Sequence, residues 1–231
     1  MRIRRTLGTA ALAAAAMLAA GTVAPAQAAD APAAAPVAVL THTALAGPNV
    51  SVGDVLTADL VSGTTANFFS SATGTSGIKC ATSSFSATVL SNPAAPGTAT
   101  ESLNTQTFSN CTANVVGVTG VKSITVNNLA YTNSVSDATG YPVWLNTGSG
   151  GGPVQTTVVL NTVLGPITCV YQSASGLTGS TNNVGQTISF VSQPLPKSSG
   201  PSTCFATGYF TSTYGPVRDI SVPGSPAVFV N

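Results

Sequence analysis

Short runs in which apolar and polar residues alternate recur every eight to twelve positions along this chain, each bounded by Gly, Pro, Asn or Ser. A period of two places successive side chains on opposite faces of an extended backbone, so such runs predict half-buried β-strands. In Phe85 to Leu90 the alternation sets Phe85, Ala87 and Val89 on one face and Ser86 and Thr88 on the other. Comparable runs are Val37 to Leu45, Val55 to Leu60, Ala66 to Ser70 and Lys122 to Val126, then Thr156 to Leu164, Ile167 to Tyr171, Thr187 to Gln193, Cys204 to Tyr214 and Ala227 to Val230. Past the N-terminal region no segment has a helical period with caps. The pattern predicts an all-β chain, an antiparallel β-sandwich.

Two segments interrupt the strands. Ser91-Asn92-Pro93-Ala94-Ala95-Pro96-Gly97 must be a turn or loop, because Pro removes a ladder donor and fixes φ. Thr147 to Pro153, containing Gly148-Ser149-Gly150-Gly151-Gly152, reads as a long Gly-rich loop at 147–153 dividing two halves. The second half alone is marginal for an independent core, which favours one composite domain over residues 37–231; two tandem sandwiches are the alternative.

The N-terminus has its own logic. The basic start MRIRR, the Ala/Leu-rich stretch from Thr6 to about Val23 and the small residues Ala26-Gln27-Ala28 make residues 1–28 a signal peptide, a cleaved N-terminal helix. Arg4-Arg5 leaves the general secretory and twin-arginine routes both open. Residues 29–36, rich in Ala and Pro, read as a flexible leader. Cleavage would remove Arg2, Arg4 and Arg5, lowering Lys plus Arg from 7 to 4 against 6 acidic residues and giving a mature charge near −2. Lys79, Lys122, Lys197 and Arg218 lie far apart, so no nucleic-acid partner is expected. Nor is a membrane association expected after cleavage; the expected compartment is extracellular.

Cys80, Cys111, Cys169 and Cys204 are separated by 31, 58 and 35 positions, without a Cys-x-x-Cys pair and with a single His in the chain, so no metal is expected. In an exported chain four cysteines read as two disulfides with three connectivities. Cys80 with Cys111 and Cys169 with Cys204 is favoured, since each pair brackets a comparable strand-rich segment. Closing such loops stabilises by roughly 3–4 kcal/mol each on the chain-entropy model.

Side chains that do chemistry are scarce. His42 is the only candidate imidazole base, no Gly-x-Ser-x-Gly elbow presents a serine, and Asp54, Asp59, Glu101, Asp137 and Asp219 have no catalytic spacing. Calcium-loop, dinucleotide and phosphate-loop motifs are lacking, so no cofactor is expected. The chain is read as non-catalytic. Tyr141-Pro142-Val143-Trp144 could offer a ligand platform built on Tyr141 and Trp144, the latter the only tryptophan. A Lys–Asn isopeptide bond assisted by Glu101, the single glutamate, is a further possibility.

Ser91 to Ala99, Phe108-Ser109-Asn110-Cys111-Thr112, Ser198-Ser199-Gly200-Pro201 and the ending Ser225-Pro226-Ala227-Val228-Phe229-Val230-Asn231 resemble a group of exported actinobacterial, Streptomyces-like proteins of unknown function, often labelled only by a twin-arginine signal domain. The resemblance implies a source and compartment but no activity. The expected function is therefore that of a secreted, disulfide-stabilised β-protein with a structural, adhesive or cell-surface role. An extracellular module binding a cell-wall glycan or small apolar molecule is the alternative, and a hydrolase comes third. Oligomeric state is left open.

Overall fold

The structure, a computed structural model, describes residues 35–148 and 150–231. The expected signal peptide at 1–28 and residues 29–34 of the expected leader lie outside the described residues. The described chain is all β, with strands β1 (Leu40–His42), β2 (Val55–Asp59), β3 (Ala66–Phe69), β4 (Gly77–Ser91) and β5 (Thr98–Ala113). There follow β6 (Val118–Asn127), β7 (Tyr131–Ser136), β8 (Pro142–Gly148), β9 (Val154–Thr162) and β10 (Gly165–Ser173). The last five are β11 (Leu177–Asn182), β12 (Thr187–Ser199), β13 (Thr207–Tyr214), β14 (Arg218–Asp219) and β15 (Val228–Val230).

Alternation governs the long strands as the sequence implies. In β4, Ser83, Phe85, Ala87 and Val89 are buried while Ser84, Ser86 and Thr88 are only half covered. Outward hydroxyls pair across strands, Ser84 with Thr107 at 2.9 Å, Ser91 with Thr100 at 2.7 Å and Ser189 with Thr213 at 3.1 Å. Such cross-strand pairs supply on the outer face what ion pairs supply in charge-rich sheets.

The strands pair antiparallel in the order β3, β4, β5, β7, β8, β11, β12, β13, and β13 returns to β3, so eight strands form a closed ring. The expected sandwich is corrected to a closed barrel. A sandwich keeps two sheets with free edges, whereas here β11 pairs on one side with β8 and on the other with β12, which removes the edges. Both sides of the glycine segment contribute to this ring, β3, β4, β5, β7 and β8 from before it and β11, β12 and β13 from after it. That segment is also shorter than expected: residues 147 and 148 belong to β8, and the Gly151 amide donates to the Gly148 carbonyl at 2.7 Å as the chain turns into β9.

Three long strands extend beyond the ring's upper half. β5 pairs with β7 only through Leu103, and its remainder, from 105 to 113, is paired on the β4 side alone. The far end of β12 pairs with β10, which pairs with β9, which pairs with β6. Among the described residues no ladder joins β5 to β6, leaving a seam between two strand edges. At the other end, Leu40, Val217, Val228 and Val230 meet Leu56, Val135 and Ile188. Asparagine amides hold this plug: Asn92 accepts from the Leu40 amide at 2.8 Å and donates to the Leu40 and Val50 carbonyls, and Asn183 exchanges two hydrogen bonds with Val230.

Both disulfides join the favoured partners, Cys80 with Cys111 and Cys169 with Cys204. The first links directly opposed residues of β4 and β5. The second ties β10 to the turn before β13. Two disulfides and no free cysteine point to an oxidising compartment.

Candidate functional site: an apolar hollow in the barrel

Inward residues of the ring do not fill it. They leave a hollow of about 110 Å³. An engineered apolar cavity of ~150 Å³ stays dry and binds benzene, and this hollow is of the same order. The inner wall comes from Phe85 and Ala87 of β4, Leu103 of β5, Val143 and Leu145 of β8 and Ile188 of β12. Gln106 and Phe108 of β5 and Ile124 and Val126 of β6 line the outer part, and all four are half-buried. They come from the two edges that face each other without a ladder.

Aromatic rings shape the wall. Phe108 and Phe210 meet edge to face with centroids 6.1 Å apart, and Phe190 lies 6.2 Å from Phe210. Phe85 and Tyr214 make a second edge-to-face pair at 5.4 Å. These are favoured aromatic geometries. The Tyr214 hydroxyl is satisfied by Ser83 at 2.8 Å and by the Gln106 amide, which donates at 2.9 Å. Burial, more than these bonds, decides its titration and raises its pKa. The Tyr131 hydroxyl donates to the Asn127 carbonyl and accepts from the Gln155 amide at 2.9 Å, and burial raises its pKa too.

One acid lies on the apolar phase of the ring. Glu101 sits between Ala99 and Leu103 on the inward side of β5, 4% exposed, and Asn133 of β7 donates to it at 2.8 Å. Burial raises the carboxyl pKa, and the single amide lowers it by less. The sequence contained this signal in Ala99-Thr100-Glu101-Ser102-Leu103, where the acid shares the phase of the apolar residues.

The residues singled out from the sequence lie elsewhere. Trp144 points outward from β8, 38% exposed, while Tyr141 packs against the core at the preceding turn. Neither lines the hollow. His42 Nδ1 meets the Thr43 hydroxyl at 3.3 Å. Asp54 accepts from the Ser51 amide at 2.7 Å as a turn former, and Asp137 accepts from the distant Gly97 amide at 2.8 Å. Asp219 is enclosed; its Oδ1 accepts from the Ser221 amide at 3.0 Å and its Oδ2 has no partner. Burial raises its pKa most; the Ser221 amide and His42 lower it, and Asp54 raises it. None of the three lysines lines the hollow, so Asn133 beside Glu101 has no lysine there to condense with. Among the described residues no three His, Cys, Asp or Glu side chains gather as a metal site. Searches of protein-family models, curated proteins and solved structures found no match for this chain.

Proposed function

We propose that this protein is an exported, non-catalytic binding module whose barrel hollow takes a small apolar molecule. The observation that carries this reading is the hollow itself: an open space in the barrel interior, walled by phenylalanine and aliphatic side chains where a structural barrel would be filled. Two disulfides and the basic, then apolar, N-terminal sequence support export. An outward aromatic platform for glycans is the weaker reading, because Trp144 and Tyr141 occupy different surroundings.

A thermal-shift series with benzene, toluene, indole and short alkanes tests the proposal. A ligand at one hundred times its Kd adds about 2.7 kcal/mol, or roughly 5–11 °C for a domain of this size. No shift from any member of the series would overturn it.

The adhesive reading has its own support. Val116, Val163 and Leu164 are 102%, 76% and 96% exposed, the first in the β5–β6 connection and the others at the tip of the β9–β10 hairpin, which the Val118–Thr162 pairing brings side by side. Exposed aliphatic tips are an ordinary means of surface attachment.

A further inference from the structure

No charged side chain lines the hollow, so the polarity of its wall comes from hydroxyls and amides. Most of these are already engaged with the protein. The Tyr131 hydroxyl is held by Asn127 and Gln155, the Tyr214 hydroxyl by Ser83 and Gln106, and the Gln155 side chain bonds through both its oxygen and its nitrogen. Two amide oxygens on inward positions take no hydrogen bond among the described residues, Asn133 Oδ1 and Gln106 Oε1. Asn133 is the deeper, 8% exposed where Gln106 is half-buried. Its amide is also oriented: Nδ2 donates to Glu101 Oε2 at 2.8 Å across the β5–β7 ladder, which turns the oxygen away from Glu101. That oxygen is not sealed by surrounding atoms, and Asn133 lines the hollow but not the small cavity at the plugged end, so the acceptor opens onto the hollow. Leu145, opposite Asn133 on β8, and Leu103, the next inward residue of β5 after Glu101, line the same space.

We infer that Asn133, held in place by Glu101, selects the occupant of the hollow, and that this occupant is a neutral, otherwise apolar molecule with one O–H or N–H donor, of the phenol or indole kind. The inference rests on the hollow being a binding site, as proposed above. A hydrocarbon strips water from Oδ1 and offers nothing in return. An acceptor-only ligand sets a second lone pair against it. A charged ligand gives up its water to a wall without a counter-charge. A hydroxyl or ring N–H donates to Oδ1 while the apolar remainder lies against Leu103 and Leu145, and Asn133 keeps its bond to Glu101 throughout. The oxygen is fixed before the ligand arrives, so little ordering is left to oppose the bond.

Isothermal titration of residues 29–231 at pH 7 with phenol, toluene and benzonitrile tests this, the first two being of nearly the same size. Phenol should bind about threefold to tenfold more tightly than toluene, the gain of one neutral hydrogen bond, and benzonitrile should be weakest. Asn133→Leu should abolish the preference for phenol while leaving toluene within about threefold, and Gln106→Leu should leave the preference intact. Phenol no tighter than toluene, benzonitrile as tight as phenol, a preference that survives Asn133→Leu, or one lost in Gln106→Leu would each overturn the role of Asn133 while leaving the hollow as an apolar site. Absence of binding by all three compounds would overturn both. The wild-type ranking and Gln106→Leu decide the matter should Asn133→Leu fail to fold.

Discussion

Ala87 offers a direct test of whether the barrel interior is empty. It is 1% exposed, points inward between Phe85 and Val89, and lines the hollow. Leucine there adds three carbons, and at about 0.8 kcal/mol per buried carbon the transfer gain is about 2.4 kcal/mol. Ordering the new side chain costs about 0.5–1 kcal/mol, leaving a net stabilisation of about 1.5–2 kcal/mol. For a domain of this size that corresponds to roughly 3–8 °C in Tm. Ala99 supplies the control. It is fully enclosed and lines neither cavity, so the same substitution overpacks and costs about 1–3 kcal/mol. Urea unfolding followed by the fluorescence of Trp144, the only tryptophan, reads both variants. Ala87→Leu should raise the midpoint without changing the slope, and Ala99→Leu should lower it. A midpoint for Ala87→Leu that falls by the equivalent of 1 kcal/mol or more would refute the reasoning, since the added carbons would then have met occupied space.

Gly208→Val should destabilise by about 1–3 kcal/mol in the same assay, because even a Cβ there would lie 1.8 Å from Phe68 Cζ; an unchanged midpoint would contradict that packing. Replacing Cys80 and Cys111, or Cys169 and Cys204, by alanine pairs should cost about 3–4 kcal/mol in either case, because the sequence separations of 31 and 35 are nearly equal. A difference above about 1 kcal/mol between the two would show that the native state, not the unfolded loop, sets the cost. Glu101 titrates higher in the fold than in the unfolded chain, so its contribution is fully present below the ordinary carboxyl range and is lost as pH rises through the raised folded value. Urea midpoints should therefore fall between pH 4 and 7.5, and Glu101→Gln should shallow that fall. Asp219 acts in the same direction and keeps a remainder; an unchanged slope in the variant would contradict the assignment.

What the sequence revealed and concealed follows from how each strand is covered. β4 was legible because Phe85, Ala87 and Val89 are large enough to mark a phase against Ser86 and Thr88. β5, the longest strand, was missed: its inward residues include Ala99, Glu101 and Gln106, and Ser, Thr and Asn fill most of the rest. β7, β8 and β11, the strands that close the ring, were missed as well: Asn133 shares the inward phase of Tyr131 and Val135, the outward Trp144 sits between inward Val143 and Leu145, and β11 has one large apolar residue, Leu177. Overlooking them is why alternation alone suggested two open sheets. β12 ran further than expected, because Pro194 and Pro196 stay within a strand whose Leu195 returns to the interior after the shift between Phe190 and Gln193. The cysteine pairing was legible because each pair brackets a segment that folds back on itself. Trp144 misled because an alternating strand can spend its largest side chain on the outer face.

The distribution of the few charges is itself an argument about the interior. Asp54 and Asp137 accept backbone amides, and the cationic side chains of Lys79 and Lys197 lie over the Phe69 ring and against the Pro201 carbonyl. The outer faces use hydroxyl pairs, and the plug uses the amides of Asn92, Asn183 and Asn231, so elsewhere the fold meets its polar needs with uncharged groups. Against that economy two enclosed carboxyls stand out, Asp219 at the β14–β2 pairing and Glu101 on the barrel's inner face. A buried acid with one amide partner costs stability, and a glutamine could accept the same bond from Asn133 without that cost. Nothing in the packing of β5 against β7 requires a carboxyl group at this position. The property a carboxyl has and an amide lacks is the capacity to give up a proton, so this rung, on the wall of the small cavity at the plugged end, is a point where the barrel interior responds to pH.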